Sequence, residues 1–367
     1  MILISFIVTL ISLGLFLNTT RNVLLLRKKF PKAHQPRVSV LIPARNESES
    51  IPQLVASLKL QDYPDFHIVI LDDDSSDNTF AIASDLTSGD SRFLVLQGEK
   101  EIPQGWLGKQ WACHQLSMKA DGEVLCFIDA DVTLSPAALS ASINQMFGLN
   151  VDLICPYPQQ RTYTFFAQIV QPLLQWSWMA TLPLDLAMKS PRPSLSAGNG
   201  QLLLVKRDVY TTIGGHESVK SEILEDIELV KEVKRSGGKG GVWDGSKIAT
   251  CSMYKTNAEL FNGYAKSLWK AFGSIFGGVA ISLFLLTLFL QPLFFLSASD
   301  IKIQVLSLLS IGLVLLSRIL VHRQFQYPIS TSLLYPFSVM AFFALMMVSI
   351  TKKQRGTITW KARALHG

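Results

Sequence analysis

CFIDADVTLSP, Cys126–Pro136, runs from an apolar stretch straight into two carboxylates, Asp129 and Asp131, one residue apart. Two readings fit. Asp is a common turn former, and an Asp-rich strand end is often a solvated turn. A hard divalent cation such as Mg2+ is instead held by one or two carboxylates plus substrate phosphates, and without a cation the two carboxylates repel each other. D-x-D alone does not choose between them; the flanking chain does.

Outward from this stretch, apolar runs alternate with helical stripes. VSVLI from Val38 reads as a fully buried strand. Ile51, Leu54, Val55 and Leu58 follow at the spacing of one helix face. HIVIL from His67, a helix near Phe80–Leu86, RFLVL from Arg92, EVLCFI from Glu123, a helix near Pro136–Phe147 and VDLIC from Val151 continue the alternation. This predicts an α/β fold with a mostly parallel sheet covered on both faces. Ligands on such sheets bind outside the carboxyl ends of the strands. Three of those ends are polar: PARNE from Pro43, DDDSSDNT from Asp72 and DADV from Asp129. Three polar ends on one rim favour a phosphate and metal site over a solvated turn.

The chain has 367 residues, 49% of them hydrophobic and 17% charged, with a formal charge of +6. Positive mean hydropathy points to a partly membrane-embedded protein. The charge alone suggests nucleic acid, but the basic residues flank apolar runs: Arg27, Lys28, Lys29 and Lys32, then Lys352, Lys353 and Arg355. No aromatic-plus-basic RNA motif accompanies them, so membrane flanking accounts for the charge and no nucleic-acid partner is expected. Cys113, Cys126, Cys155 and Cys251 form no C-x-x-C pair and are expected to be buried thiols in a reducing compartment.

Residues 1–22 are expected to form an uncleaved anchor with its C-terminal end in the cytoplasm, because the basic cluster follows the apolar run instead of preceding it. Residues 36–270 look like a globular domain and 271–351 like a membrane block, ahead of a basic tail at 352–367. Ala271–Ser299 and Gln324–Thr351 lack charged residues, and each is long enough for the roughly 20 helical residues that a bilayer core takes. Ile303–Ser317, extended through Val321 with Arg318 snorkelling, makes a third span. Three spans after a cytoplasmic domain put the tail outside, whereas its basic residues argue for inside; either one segment is re-entrant or the charge rule fails at the tail.

VSVLIPARNES, LDDDSSDNT, GWLGKQWA, FIDADV and LEDIELVKEVKRSG stand in the order and rough spacing of a family 2 glycosyltransferase with the GT-A fold. The resemblance covers roughly residues 36–270. With the membrane layout and GWLGKQWA, the chain is similar to lipid-directed members such as carotenoid (hydroxychlorobactene-type), hopanoid-associated and ceramide glucosyltransferases. The resemblance implies a UDP-sugar donor, a membrane lipid acceptor, Mg2+ or Mn2+ as cofactor, and a catalytic domain on the cytoplasmic side of the inner cell membrane. It assigns Asp131 to the metal, Asp129 to the sugar or ribose, Asp73 to the uracil ring, and Pro43, Ala44 and Glu47 to the first loop of the nucleotide pocket. Asp74 departs from the family's usual Gly. Glu47 is alternatively a charge at the start of the next helix. Lys109 matches a lysine reaching the diphosphate, and is otherwise a surface lysine.

Inverting transfer needs a base for the acceptor proton, and the family's E-D pair, here Glu225 and Asp226, supplies it. The plain alternative is an N-cap on a helix whose buried face carries Ile223, Ile227 and Val230. Gly198, Asn199 and Gly200 are expected to let the backbone approach the sugar. The family's Q-x-x-R-W motif is degraded to NGYAKSLWKAF, with Lys266 and Trp269 nearest to it, which favours single-sugar transfer over polymer synthesis. Those two residues either assist the diphosphate and acceptor or are a snorkelling lysine and an interfacial tryptophan. Thr162–Leu184 is charge-free, with Gln168, Gln171 and Gln175 on one stripe; it is either a core helix or one lying in the membrane interface. The expected activity is transfer of one sugar, glucose from UDP-glucose, to the hydroxyl of a carotenoid or similar terpenoid. The alternatives are a polyprenyl phosphate, sphingolipid or glycerolipid acceptor, or a non-catalytic sugar-nucleotide binding module.

Overall fold

Val38–Ala44 has a parallel partner on each side, Phe66–Asp72 and Val124–Ile128, and Phe66–Asp72 pairs in turn with Phe93–Gln97. Every residue of Val124–Ile128 is buried, as expected of a strand with helices over both faces. The sheet continues through two antiparallel joints, from Val124–Ile128 to Leu202–Lys206 and from there to Leu153–Tyr157. It ends at Gly240–Asp244, parallel to Leu153–Tyr157. Of its seven strands only Leu202–Lys206 runs the other way, so the sheet is mostly parallel, as the alternation of strands and helices predicts. This computed structural model describes residues 1–32, 34–357, 359–360 and 363–364.

The sheet belongs to a compact unit made of Lys29–Arg161 and Asp185–Met253. Ile51, Leu54, Val55 and Leu58 are the buried stripe of the helix Ile51–Lys59. Ala44 pairs with Asp72, and Leu41 lies opposite both Val69 and Phe127. The chain therefore leaves three strands along one edge, at Arg45, Asp73 and Asp129.

Met1–Lys28, Thr162–Leu184 and the described residues from Tyr254 onward make up a second, mainly helical unit. Among the described residues four helices are long and apolar enough to cross a membrane: Ile2–Leu26, Ile275–Phe295, Ile301–Gln324 and Ile329–Gln354. One is N-terminal and three are C-terminal, the number that the apolar runs predict. Their packing inverts that of a water-soluble bundle. The buried face of Ile2–Leu26 carries Ser5, Ser12, Thr19 and Asn22, and that of Ile301–Gln324 carries Ser307, Ser310 and Ser317. Thr9 and Ser310 meet at 2.9 Å, and Thr19 and Ser317 at 3.0 Å. Leu3, Phe6, Leu10, Leu17, Leu308 and Leu316 face outward. Small hydroxyl-bearing residues inside and large apolar ones outside suit a hydrocarbon solvent.

Two sequence expectations change here. Thr162–Leu184 is not one helix but two short ones, Phe165–Val170 and Pro172–Thr181, with Leu184 opening a third. Pro172 has no N–H to carry the first helix onward. Gln171 and Gln175 are buried. Arg318 does not snorkel: its side chain is buried inside the unit.

Candidate active site

The first loop of the rim is closed by hydrogen bonds between the ends of two neighbouring strands. Asp73 N–H donates to Ala44 O at 2.7 Å, and the Arg45 guanidinium donates to the carbonyls of Asp73 and Asp74. Asn46 accepts from Ser76 N–H at 2.8 Å, and Glu47 N–H donates to Thr79 Oγ1 at 2.8 Å. Burial pushes the Asp77 carboxyl up, but hydrogen bonds from Thr79 and Ser48 outweigh it and hold the group down to about 2. Pro43, Ala44, Glu47 and Asp73 are thus brought together. Asp74 has φ +54°, a left-handed conformation that Asp tolerates and Gly adopts freely; the turn survives the departure from Gly. The following helix begins only at Ile51, with no acid in its first turn, so Glu47 does not serve as a charge in that turn.

The second group sits across the rim. Gly105, at φ +85°, turns the chain into the helix Gly108–Ser117, over which Trp106 packs edge-on to Trp111. Lys109 Nζ on that helix lies 2.8 Å from Asp129 Oδ1 and 2.9 Å from Glu225 Oε1. Burial pulls its pKa down, but the two carboxylates outweigh burial and hold it well above the ordinary lysine range. Lys109 is therefore the bridging cation of an acidic cluster, with its side chain still partly open to solvent.

Glu225 and Asp226 open the helix Glu225–Arg235, whose N-cap is Leu224. Neither acid is the N-cap, which corrects the plain reading of the pair. The buried positions of that helix are Leu229, Val230, Val233 and Lys234; Ile227 is only partly covered, because the first turn faces the cleft. Asp226 Oδ2 accepts from Gly200 N–H and Oδ1 from Ile227 N–H, each at 2.9 Å. Burial first, and then the neighbouring Glu225 charge, push the Asp226 carboxyl up to about 6; Lys109 and the two N–H donors oppose the rise. A carboxylate so placed is ionised near neutral pH and still able to take a proton.

The glycines expected to admit a sugar have a different close neighbour. A Cβ on Gly198 would lie 2.8 Å from Asp226 O and 2.9 Å from its carbonyl carbon. Gly198→Ala is expected to displace the start of the Glu225–Arg235 helix and to cost about 1–3 kcal/mol, the usual range for overpacking. Thermal unfolding of the purified protein measures this; an unchanged midpoint would mean the backbone gives way freely.

Asp131 lies beyond the D-x-D turn, where Val132–Leu134 pairs with Ala249–Cys251 and Cys251 sits opposite Val132. Burial pushes the Cys251 thiol well up, reinforced by Asp131 and Asp129, and the thiol hydrogen-bonds the Asp131 carboxylate. All four cysteines are free and buried, as expected. Among the described residues no group of three or more His, Cys, Asp and Glu gathers to hold an ion. The Asp131 carboxylate would fit a Mg2+ or Mn2+ completed by phosphates and water, a different arrangement from an all-protein cage.

The cleft between these groups is lined by Pro43, Lys109, Asp129, Gly200, His216 and Asp226, among others. His216 escapes sequence reasoning. It is buried against Phe127, with Nδ1 2.7 Å from Tyr210 Oη, and burial pushes it down to about 3, so it is a neutral wall of the cleft. Lys266 and Trp269 lie in the helical unit. Trp269 N–H donates to Ser349 Oγ at 3.0 Å, its indole N–H donates to Lys266 O at 3.2 Å, and Lys353 Nζ lies 4.7 Å from the ring centroid.

Residues 39–214 match the family model described as glycosyl transferase family 2. The 4,4'-diaponeurosporenoate glycosyltransferase of Staphylococcus haemolyticus (strain JCSC1435) is 26% identical over 297 residues, 75% of this chain and 77% of that protein. The protein of the same name from Staphylococcus aureus (strain MRSA252) is 26% identical over 247 residues; the match covers 66% of this chain and 64% of the relative, just under two thirds of its length. In three dimensions the chain resembles a mannosyltransferase from Pyrobaculum calidifontis solved in complex with GDP-Man and Mn2+. The TM-score is 0.55 at 16% identity, over 99% of each chain. The polar rim, the sheet order and the family match converge: residues 39–214 are a glycosyltransferase family 2 domain, on a GT-A fold.

Proposed function

We propose that the protein transfers a single sugar, glucose from UDP-glucose, to a carotenoid or similar terpenoid in the membrane, with inversion at the anomeric carbon. The observation that carries this reading is the Asp226 carboxylate. It is fixed by two backbone N–H groups and pushed up to about 6, on the rim that also holds Lys109 and Asp129. As the acceptor oxygen bonds to the anomeric carbon, its proton passes to Asp226 and the nucleoside diphosphate leaves with the electron pair of the broken bond. Lys109 and the helix start at Gly108 face the developing charge. Asp131 would hold a divalent cation, which when bound would supply Lewis-acid stabilisation of the leaving diphosphate. Asp73 and the Pro43–Glu47 loop take the base and ribose, and Asp129 the ribose or sugar.

Lys109 gives a direct check on the shared electrostatics. Its charge opposes the upward shift of Asp226. Lys109→Met should weaken donor binding and move the acid limb of the kcat/KM profile to higher pH, because the base must be ionised to act. An acid limb that stays in place would separate Lys109 from Asp226.

The basic cluster after Ile2–Leu26 supports a catalytic unit on the cytoplasmic side, where nucleotide sugars are made. Since the native cysteines are buried, a cysteine placed at Lys32 should react with membrane-impermeant maleimide only after the inner membrane is opened. Labelling of intact spheroplasts from outside would overturn the orientation.

The relatives are named for 4,4'-diaponeurosporenoate, a carboxylate, which supports a second reading in which the acceptor is a terpenoid carboxylate and the product a glycosyl ester. Such an acceptor brings no proton for Asp226 to take. Membranes containing the protein, given a panel of labelled nucleotide sugars and terpenoids ending in hydroxyl or carboxyl, decide between them by mass spectrometry of the labelled lipid. An alkali-stable glycoside is expected. A product cleaved by mild alkali moves the acceptor to the acid class, and no labelled lipid with any pair overturns both readings.

A further inference from the structure

Inside the helical unit lies a guanidinium with no carboxylate against it among the described residues of that unit. Arg318, on the helix Ile301–Gln324, is 1% exposed. Its Nε and Nη1 have no hydrogen-bond partner, and Nη2 reaches only Ser338 Oγ at 3.4 Å. The Trp176 ring lies 6.0 Å away, with its indole N–H already given to Ser317 at 2.7 Å. The Ser338 hydroxyl is likewise given to Ile169 O at 2.8 Å. One turn further along, His322 has Nδ1 2.9 Å from Pro328 O, while its buried Nε2 has no partner. A neutral imidazole supplies no negative charge.

Nor does the unit hold a carboxylate to do so. Its described residues include two acids, Glu259 and Asp300, both exposed. Asp300 caps the far end of Arg318's own helix, 18 residues away, which is about 27 Å at 1.5 Å per residue. Glu259 accepts from Lys255 N–H at 2.8 Å. Arginine keeps its charge in proteins, and an unpaired buried charge is heavily penalised. Ionisable residues inside membrane segments mark ligand or ion sites for this reason.

We propose that Arg318 anchors a second ligand site, for the carboxylate head of an apolar chain drawn from the bilayer. The charge count favours a monoanion: Lys302 and Arg323, the other cations of the helix, are exposed. A planar two-oxygen head matches the guanidinium fork, which lacks partners on two of its three nitrogens. The chain behind that head is a fatty acid or a terpenoid acid. The site uses none of the residues assigned to sugar transfer and stands whichever acceptor the enzyme takes.

The test is thermal unfolding of the full-length protein in detergent, titrated separately with oleate, a terpenoid acid, oleyl alcohol and dioleoylphosphatidylglycerol. A saturable rise in Tm is expected with oleate, with the terpenoid acid or with both, the larger shift naming the source, and none with the alcohol. Arg318→Met should unfold at or above the wild-type temperature without ligand, since it removes an unpaired charge, and should lose the carboxylate response. Equal responses to oleate and oleyl alcohol, a response retained in Arg318→Met, or a response confined to the phospholipid would each overturn the site. If Arg318→Met does not fold, native mass spectrometry of the wild type decides. One bound carboxylic acid, exchanged by a second acid but not by the alcohol, supports the site, and no acid-selective adduct overturns it.

Discussion

Asp131→Ala is expected to reduce sugar transfer about 10³-fold or more. The loss of a cation that stabilises the leaving diphosphate removes several kcal/mol from the transition state, and each ~1.4 kcal/mol is a factor of ten. Donor binding should weaken at the same time, because the diphosphate loses its bridge to the protein. EDTA should reproduce the loss in the wild type and add little to the variant, and titration of Mn2+ against donor binding reads the metal without reference to turnover. A variant that binds donor and turns over normally would reduce Asp131 to a loop residue, and full wild-type activity in EDTA would remove the metal altogether.

Asp226→Asn is the second large effect. Asn keeps one of the two oxygens that accept from Gly200 and Ile227 but takes no proton. The expected loss is about 10² or more, the scale of general base catalysis, with donor affinity within a few-fold of wild type. The pH profile carries the sign. Burial and Glu225 raise the carboxyl to about 6, so wild-type activity should fall as pH drops through that value, while the residual activity of the Asn variant should lack that limb. Full activity in Asn together with loss in Ala would make Asp226 a brace for Gly200 and Ile227 and place the base elsewhere.

The centre of the sheet was legible because Val38–Ala44, Phe66–Asp72 and Val124–Ile128 are buried on both faces and so appear as unbroken apolar runs that need no partner information to be seen. Their polar ends marked the rim for the same reason. What stayed hidden depends on pairings between distant parts of the chain. Cys251 meets Asp131 only because Ala249–Cys251 lies against Val132–Leu134. Lys109 meets Glu225 only because two helix starts converge on one cleft. His216 belongs to no periodic pattern, and its place beside Phe127 follows from a short turn of helix at Gly215–Val219. Arg318 misled because a long cationic side chain in an apolar run suggests escape to the interface, whereas the hydroxyl-bearing faces of neighbouring helices enclose it.

The interleaving of the two units has a consequence for how the chain is made. Leu202–Lys206 sits inside the sheet, between Val124–Ile128 and Leu153–Tyr157, yet it leaves the ribosome only after Thr162–Leu184, which belongs to the helical unit. Until it arrives, the backbone edge of Val124–Ile128 lacks its native partner, a template for wrong pairing. Synthesis must therefore complete a segment of the helical unit before the catalytic sheet can close. Nascent chains stalled before about residue 206 should recruit chaperones and resist release, and excision of the sheet unit as a soluble fragment requires replacing residues 162–184, not merely trimming the two ends.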